Sequence, residues 1–191
     1  VMFLGKKLSF PFMISPMTGG SDPEIIRINR NLATAAEKCG VAMAVGSQRI
    51  MFSDKNAEES FRLREYAPTV PLIGNLGAVQ LNYGFGLKEC REATEIMDAD
   101  ALFLHLNPLQ EIIQKNGNRN FAGLCEKIRE IRWELPVPLM IKETGCGLSS
   151  DDYALLINCG IRYIDVAGRG GTSWSRIEYL CSGEEASSGL E

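Results

Sequence analysis

The stretch ALFLHLNPLQE, residues 101–111, passes from an apolar run into a cluster of polar side chains. The run predicts a buried β-strand, and because strand side chains alternate between two faces, Phe103, His105 and Asn107 would share one of them. Pro108 follows at a position where proline is favoured, just inside the start of a helix or turn, with Asn107 as its N-cap. The stretch therefore predicts a strand that leads directly into a helix or turn and carries polar groups at the junction.

Five more apolar runs recur along the chain, at intervals of about thirty residues, as βαβ units require. They are PFMISPM (11–17), VAMAVGS (41–47), PLIGNLG (71–77), PLMIKET (138–144) and YIDVAG (163–168). Their continuous apolar character is typical of parallel strands that are buried on both faces. Helical patterns lie between them at 22–39, 55–66, 86–97, 120–134 and 150–158.

Two folds accept this alternation, a doubly wound open sheet and a (β/α)₈ barrel. Nearly every run ends in polar or glycine residues, and a barrel gathers the carboxyl ends of its strands into one mouth, where its active site lies. The G-x-G-x-x-G pattern typical of a dinucleotide-binding sheet does not follow the first run. We therefore predict an α/β fold of the (β/α)₈ TIM-barrel class. With six of the eight βα units found, residues 1–191 would form one partial barrel domain, lacking an N-terminal segment and the last βα units.

The composition argues against several classes of protein. The chain has 191 residues, is 45% hydrophobic and carries a formal net charge of −4. This charge, without a basic block, argues against nucleic-acid binding, and no apolar run approaches the roughly 18 to 20 residues needed to cross a membrane. The six cysteines are dispersed without a C-x-x-C pair, which is typical of reduced thiols. The composition predicts a soluble, cytoplasmic protein.

Several residues near the ends of the runs suit the binding of an anion. Lys142 follows an apolar run, where a cation is costly unless it is paired or at an edge; balance of an anionic cofactor or substrate is favoured over a side chain that extends to solvent. Arg49 could bind a phosphate or carboxylate through two hydrogen bonds, with a surface arginine as the alternative. The stretch GRGGTSW (168–174) would let backbone N–H groups and Thr172 approach a phosphate. The stretch MTGG (17–20) could be a simple turn before a helix or a ledge beneath a flat ring.

The polar residues of the opening stretch also have ordinary interpretations. His105 could be a hydrogen-bonded core histidine, Asn107 a helix cap, and Gln110 and Glu111 first-turn residues that complement a helix dipole. Their clustering within seven residues at a predicted barrel mouth favours a functional interpretation. A nucleophilic Cys146 with His105 as its base is disfavoured, because nothing in the sequence would lower the pKa of that thiol.

Taken together, these stretches resemble the type 2 isopentenyl diphosphate isomerases, which are flavin-dependent (β/α)₈ enzymes of isoprenoid synthesis. The matching stretches, in the family's order, are ISPMTGG, AVGSQR, IGNLGA, HLNPLQE, IKETGCG and DVAGRGGTSWSRIE. Each is weak alone, but the ordered set is specific and covers essentially the whole chain. Related flavin barrels that oxidise 2-hydroxy acids place a His–Arg pair after later strands, and this pair is not found here.

The resemblance implies FMN and Mg²⁺ as cofactors, with NAD(P)H as the reductant of the flavin. The FMN contacts that it implies are Met17, Thr18, Gly19, Ser47, Asn75, Lys142, Gly170, Gly171 and Thr172. Lys142 would steady the anionic reduced flavin, and Thr172 would help hold the FMN phosphate with Gly170 and Gly171. Ala167 stands where many members of the family have a serine near this phosphate loop.

The resemblance also implies a reaction, the conversion of isopentenyl diphosphate into dimethylallyl diphosphate, with reduced FMN taking part in the proton transfers. The substrate contacts that it implies are Ser47, Arg49, His105, Asn107 and Gln110. Gln110, His105 and Lys142 would be catalytic, with Gln110 beside the reacting carbons, and Glu111 would hold Mg²⁺.

The expected partners are a small-molecule diphosphate and further copies of the chain, as a dimer, tetramer or octamer, without nucleic acid or membrane. The alternatives are another FMN-dependent TIM-barrel oxidoreductase of the 2-hydroxy-acid oxidase type, or a non-catalytic barrel remnant.

Overall fold

Six parallel strands form the centre of the molecule and curl into part of a barrel. The computed structural model describes residues 1–168, 170 and 172–181. A short antiparallel hairpin comes first, made of β1 (Met2–Phe3) and β2 (Lys6–Lys7). The parallel strands are β3 (Met13–Ile14), β4 (Ala42–Ala44), β5 (Leu72–Gly77), β6 (Ala101–Leu106), β7 (Leu139–Glu143) and β8 (Ile164–Asp165). Each lies inside one apolar run and pairs with the next along the chain, so the predicted α/β class and strand positions are confirmed.

Six α-helices accompany these strands in the described part of the chain. They are α1 (Pro23–Cys39), α2 (Leu87–Met97), α3 (Pro108–Ile113), α4 (Leu124–Glu134), α5 (Ser150–Asn158) and α6 (Trp174–Cys181). The helices predicted at 22–39, 86–97 and 150–158 are confirmed. The sequence explains the limits of α1, because Asp22 caps its first turn and Gly40 ends it with a φ of +65°. None of the described helices is long and apolar enough to cross a membrane.

The helix predicted over 55–66 is wrong. A 3₁₀ helix occupies Lys55–Ser60 and a turn follows it. Phe61 and Leu63 are both fully buried in the core. Residues two apart lie on nearly opposite sides of an α-helix, so a helix with one face on the core would not bury both side chains.

Other elements differ in their limits or were not predicted. The helix predicted over 120–134 begins only at Leu124, because Gly123 before it has a left-handed φ of +67°. The β1–β2 hairpin and α6 were not predicted, and α3, for which the sequence predicted only a helix or turn start, spans Pro108–Ile113. These elements are short, so hydrophobic periodicity gives them little signal.

The two faces of the sheet bury separate sets of apolar side chains. The outer face packs against the helices and forms the larger core, with Leu72, Leu76, Leu102, Leu104 and Ile141 among its members. The inner face forms a small core of Ala44, Ile73, Ala101, Phe103 and Met140. The burial of both faces explains why the strands are continuously apolar in sequence.

The β1–β2 hairpin packs against the inner core at the amino ends of the strands. The Phe3 ring meets the ring of Tyr163 edge to face, with centroids 5.8 Å apart. Asp100, which directly precedes β6, pairs with Lys6 of the hairpin and with Arg64, each at 2.8 Å. Partial burial acts to raise the pKa of Asp100, but hydrogen bonds from Lys6, the Leu72 backbone N–H and Arg64 together lower it. The hairpin therefore covers the inner face at the amino ends of the strands.

Candidate functional site

The carboxyl ends of the strands surround a cavity of about 320 Å³. Eight residues predicted from the sequence line it: Ser47, Arg49, Asn75, His105, Asn107, Gln110, Glu111 and Lys142. The other residues of its wall are Pro16, Ile50, Ser53, Gly77, Gln80, Gln114, Thr144 and Trp174. Side chains from positions 16 to 174 therefore meet at one mouth, where a barrel-type sheet presents its functional groups.

Strand register explains why distant residues meet there. Gly77 of β5 is paired with His105 of β6, which is paired with Lys142 of β7. Lys142 is paired in turn with Asp165 of β8. Paired residues in neighbouring parallel strands point to the same face of the sheet, so these four positions form one row across the inner surface.

His105 lies in this row between Gly77 and Lys142. Its Nδ1 lies 2.9 Å from Oδ1 of Asn75 on the neighbouring strand. Burial, together with the positive charges of Lys142 and Arg49, lowers the pKa of His105 to about 3. The imidazole is therefore neutral at physiological pH, with one ring nitrogen able to accept a proton.

Lys142 brings a buried positive charge to the cavity wall. Its Nζ donates to the backbone carbonyl of Glu143 at 2.5 Å. Burial lowers the pKa of Lys142, and the negative charges of Asp165 and Glu143 offset part of this effect. An ammonium group in this position gains most from a negatively charged ligand, since burial has removed much of its hydration.

Asn107 connects the polar residues that follow β6. It occupies the N-cap position of α3, but its side chain makes no capping hydrogen bond. Instead, Nδ2 donates to Gln110 Oε1 at 3.0 Å and to Glu111 Oε1 at 3.1 Å. Because Nδ2 faces these acceptors, the amide orientation is fixed, and Oδ1 is buried without a hydrogen-bond partner among the described residues. Because this oxygen is buried, a donor from a ligand or water could reach it only after neighbouring side chains move.

Glu111 is a buried carboxylate whose hydrogen-bond donors are uncharged. Besides Asn107, the backbone N–H of Asn118 donates to its Oε2 at 2.6 Å. The described residues contain no group of three or more His, Cys, Asp or Glu side chains that could hold a metal ion. A site built on one carboxylate suits Mg²⁺, which commonly binds through one or two carboxylates and takes its other ligands from water and substrate phosphates.

Ser47 and Arg49 reach the cavity from the 3₁₀ helix Gln48–Phe52, which follows β4. Ser47 caps this helix, because its Oγ accepts a hydrogen bond from the Arg49 backbone N at 3.4 Å. Arg49 is exposed and belongs to the cavity wall. Its guanidinium group is therefore accessible for two hydrogen bonds to a phosphate or carboxylate.

Glu178 of α6 is a polar residue near the site that was not predicted. Its Oε1 accepts hydrogen bonds from Gln110 Nε2 at 2.9 Å and from Gln114 Nε2 at 2.8 Å. The second amide, Gln114, follows Gln110 by one helical turn, and this spacing is a signal that the sequence does contain. Trp174, on the same helix as Glu178, adds an aromatic group to the wall.

The predicted flavin ledge, Met17, Thr18 and Gly19, does not line the cavity. The Thr18 hydroxyl donates to Oδ1 of Asn29 on α1, and the Asn29 amide donates back to the Thr18 carbonyl at 3.2 Å. A Cβ on Gly19 would come within 2.5 Å of the Phe61 ring. The side chain of Thr18 therefore anchors this loop to α1, while Met17 is exposed.

The glycine-rich stretch after β8 is described in part. Gly170 and Thr172 are exposed and are not among the residues that line the cavity, whereas Gly171 lies outside the described residues. The loop after β7 passes close by, since a Cβ on Gly145 would be 3.7 Å from the Thr172 carbonyl oxygen. The predicted phosphate loop therefore borders the loop that follows Lys142.

Glu143 shapes the loop after β7. Its buried Oε2 accepts from the backbone N–H groups of Gly145, Cys146 and Gly147, at 2.7, 2.6 and 3.0 Å. Cys146 is exposed, and partial burial together with the charge of Glu143 raises the pKa of its thiol. The raised pKa agrees with the expectation that Cys146 is not a nucleophile.

Solved structures give only weak similarity to this chain. A β-D-glucuronidase from Dictyoglomus thermophilum is 12% identical, with a TM-score of 0.43, over 86% of this chain and 36% of that chain. A mandelate oxidase mutant with a monooxide FMN adduct is also 12% identical, with a TM-score of 0.36, over 96% of this chain and 70% of that chain. No protein-family model matches the chain.

Sequence comparison finds much closer relatives, among them three proteins named isopentenyl-diphosphate delta-isomerase. The protein from Paracoccus zeaxanthinifaciens is 63% identical over 93% of this chain and 51% of its own length. The protein from Hydrogenovibrio crunogenus is 60% identical over 92% of this chain and 51% of its own length. The protein from a Nostoc species is 48% identical over 99% of this chain and 53% of its own length. The chain spans about half the length of the curated relatives it matches. It is therefore a homologue, over that half, of proteins named isopentenyl-diphosphate delta-isomerase.

Proposed function

We propose that this chain belongs to a type 2 isopentenyl diphosphate isomerase, which uses reduced FMN and Mg²⁺ in a (β/α)₈ barrel. One observation carries the proposal: the cavity at the strand ends is lined by Arg49, His105, Glu111 and Lys142 together with neutral amides. The names of the close relatives support an isomerase. They do not favour the oxidoreductase or the non-catalytic alternative.

The cations of the cavity suit the diphosphate group of the substrate. Arg49 offers a planar pair of donors to phosphate oxygens, and Ser47 beside it offers a hydroxyl. His105 is a further proposed contact, donating once the approach of the anion has raised its pKa and protonated it. Asn107 is the remaining proposed contact, and it would donate to the diphosphate only after its Nδ2 leaves Gln110 or Glu111. The chain's own residues thereby hold the charged end of the substrate.

Glu111 is the proposed Mg²⁺ ligand of this chain. Its buried carboxylate has only uncharged donors as partners, so a cation would be favourable beside it. Diphosphate oxygens and water would supply the other ligands that a hard divalent ion requires. Glu111 and the diphosphate therefore depend on each other, because each supplies negative charge to the same ion.

Gln110 is proposed to lie against the alkene of the substrate. Its amide is held between Asn107, which donates to Oε1, and Glu178, which accepts from Nε2. A neutral amide fixed at both ends can orient an apolar double bond without offering a charge that would need hydration. The apolar side chains of Ile50 and Trp174 add surface suited to a short hydrocarbon.

The reaction adds a proton to one carbon and removes one from another, so the double bond moves without net oxidation. Reduced FMN, when bound, would supply the acid–base group for both transfers. Lys142 fits this cofactor, because a buried ammonium group stabilises a neighbouring anion. Ser47 and Asn75 are the other proposed contacts of its ring. Met17, Thr18 and Gly19 would support the ring from their loop, and Gly170, Gly171 and Thr172 would contact the phosphate.

The decisive experiment uses the purified full-length protein with FMN, Mg²⁺ and isopentenyl diphosphate. We expect a yellow protein that forms dimethylallyl diphosphate only after reduction, with NAD(P)H consumed in far smaller amount than product. A protein that takes up no flavin would contradict the proposal. Consumption of NAD(P)H in proportion to product, or release of hydrogen peroxide, would instead indicate an oxidoreductase.

The whole protein would act on a small diphosphate as a homo-oligomer in the cytoplasm. Sedimentation of the full-length protein would distinguish a monomer from a dimer, tetramer or octamer.

A further inference from the structure

Gln48 lies directly behind the cavity wall, between Ser47 and Arg49, and is completely buried. Its Nε2 donates to the backbone carbonyl of Ala93 in α2 at 2.8 Å. Its Oε1 accepts from the backbone N–H of Asn75 in β5 at 2.9 Å. The side chain therefore ties the segment after β4 to both a neighbouring strand and a helix of the outer layer.

The position of the Gln48 amide is tightly restricted. A Cβ on Gly74 would stand 2.7 Å from Gln48 Oε1 and 3.1 Å from Leu102 Cδ1. Even the smallest side chain at position 74 would thus require the amide to move. Gly74 directly precedes Asn75, so the absence of a side chain at position 74 leaves space for the Gln48 amide next to the Asn75 backbone N–H that it binds.

Asn75 transmits this restraint to His105. Its Nδ2 donates to the backbone carbonyl of Val45 at 3.0 Å, so its Oδ1 is the atom that faces His105 Nδ1, at 2.9 Å. An amide oxygen can only accept, so Nδ1 must carry the hydrogen of the neutral ring. The lone pair is then on Nε2, which lies near Gly77 of the cavity wall, since a Cβ on Gly77 would be 3.3 Å from this atom.

We propose that Gln48 is a positioning residue, which acts through Asn75 to hold His105 as the Nδ1–H tautomer with the Nε2 lone pair at the cavity. In this state Nε2 can accept a hydrogen bond or a proton, but it cannot donate to a phosphate oxygen before it is protonated. The low pKa of His105 agrees with a ring that stays neutral until an anion arrives. The consequence for catalysis rests on the proposed function, whereas the tautomer does not.

The charged groups around His105 set what a bound anion would change. Among the described residues, the cations whose charges act on it are Lys142 on β7 and Arg49 after β4. Asp165 on β8 acts on Lys142, and Glu111 on α3 lies in the same cavity wall. Binding of an anion between the two cations would reverse their effect and favour a proton on Nε2.

The test is ¹⁵N NMR of the FMN-loaded full-length protein labelled with ¹⁵N-histidine, at neutral pH without substrate. Resonances that disappear in His105→Gln are assigned to His105. We expect Nδ1 at a protonated position and Nε2 at an unprotonated one, and addition of inorganic pyrophosphate should move Nε2 towards the protonated position. A free protein whose Nε2 carries the hydrogen would overturn the proposal.

Gln48→Met tests the positioning role, because methionine keeps the approximate length and removes both hydrogen bonds. We expect the two nitrogen resonances to move towards each other, as the ring then samples both tautomers. Thr94→Val is the matched control, since it removes a buried hydroxyl next to Ala93 without touching Gln48. An unchanged His105 spectrum in Gln48→Met would overturn the proposal.

Two further variants keep the proposal testable if Gln48→Met does not fold. Asn75→Leu removes the acceptor itself, and Gly74→Ala displaces the Gln48 amide while leaving its chemistry in place; each should shift the tautomer as Gln48→Met does. In the isomerase assay, kcat/KM of Gln48→Met should fall by about 10- to 100-fold. If the Gln48→Met protein keeps both the His105 tautomer and the isomerase activity, the positioning role alone is refuted. If the natural protein shows the expected tautomer but does not isomerise the substrate, the proposed function alone is refuted.

Discussion

Two successive layers of the same strands differ in chemistry. In the lower layer, Phe103 of β6 and Met140 of β7 pack into the apolar inner core. Two residues further along, the same strands carry His105 and Lys142 at the cavity wall. The same change occurs from Tyr163, which directly precedes β8, to Asp165 within it. On β5 the polar residue comes earlier, because Asn75 is paired with Phe103 of the lower layer.

One step of the strand repeat, about 6.6 Å along the chain, therefore separates packing from polar chemistry. The lower layer stabilises the fold by removing apolar surface from water. The upper layer buries ionisable groups, which costs stability unless a ligand compensates for the lost hydration. Substitutions two residues apart on one strand should therefore affect different properties, stability in the lower layer and ligand binding in the upper layer.

The largest expected effect is on the lower layer, for Phe103→Ala. Removing a fully buried ring should lower the free energy of unfolding by about 3 to 5 kcal/mol. Urea denaturation measures this loss, and Phe12→Ala is the matched control, because the Phe12 ring is largely exposed. If both variants lose the same stability, the lower layer does not have the role assigned to it.

In the upper layer, Lys142→Met should affect binding rather than stability. Removing the buried ammonium group should weaken FMN binding by about 10- to 100-fold, since hydrogen bonds to charged groups contribute about 1.5 to 3 kcal/mol. Flavin fluorescence titration measures the affinity, and urea denaturation should show equal or greater stability. Lys38→Met, on the exposed end of α1, controls for net charge. A large loss of stability would instead make Lys142 part of the packing layer.

The neutral state of His105 predicts a dependence of stability on pH. The pKa of His105 in the folded protein is about 3, below the ordinary value of about 6.5 in the unfolded chain. The stability that this pKa difference contributes is therefore fully present above pH 6.5 and is lost as the pH falls towards 3, because the unfolded chain takes up the proton first. At pH 5 this loss should be about 2 kcal/mol.

Urea denaturation at pH 7.5 and pH 5 tests this prediction. The difference between the two pH values should be smaller in His105→Gln than in the natural sequence, since carboxylates titrate in both proteins. Equal differences would mean that folding does not lower the pKa of His105 and that the upper layer carries no electrostatic cost at this position.

The smallest expected effect distinguishes groups within the upper layer. Glu111→Gln keeps the shape of the side chain and removes its negative charge. We expect the Mg²⁺ concentration required for half-maximal pyrophosphate binding to rise about tenfold, while FMN binding remains unchanged. Calorimetric titration measures this response, with Glu130→Gln on the exposed face of α4 as the control. An unchanged Mg²⁺ response would remove Glu111 from the proposed metal site.

The sequence predicted the strands and eight residues of the cavity wall, because both depend on local patterns. Continuous apolar runs locate parallel strands, and the alternation of side chains places His105 above Phe103 without any knowledge of the partner strands. The roles of these residues in binding and catalysis remain predictions from the resemblance. The helix predicted at 55–66 failed because the burial of Phe61 and Leu63 depends on tertiary packing.

The supporting residues could not be predicted, because their partners are distant in sequence. Gln48 bonds to Ala93 and Asn75, and Glu178 bonds to Gln110 from 68 positions away. Asn107 was predicted as a cap from its position next to Pro108, whereas its amide in fact contacts side chains further along α3. Residue type suggests that such groups form hydrogen bonds, but only the tertiary structure determines the partners.

The carboxylate of Glu143 limits which groups at the carboxyl ends of the strands can bind anions. Three successive backbone N–H groups converge on one of its oxygens, in the arrangement by which loops elsewhere capture phosphate. This loop thus carries its own permanent counter-ion, and its donors are not available to an incoming anion. Under the proposed function, the diphosphate and the flavin phosphate would therefore be bound by side chains and by other loops.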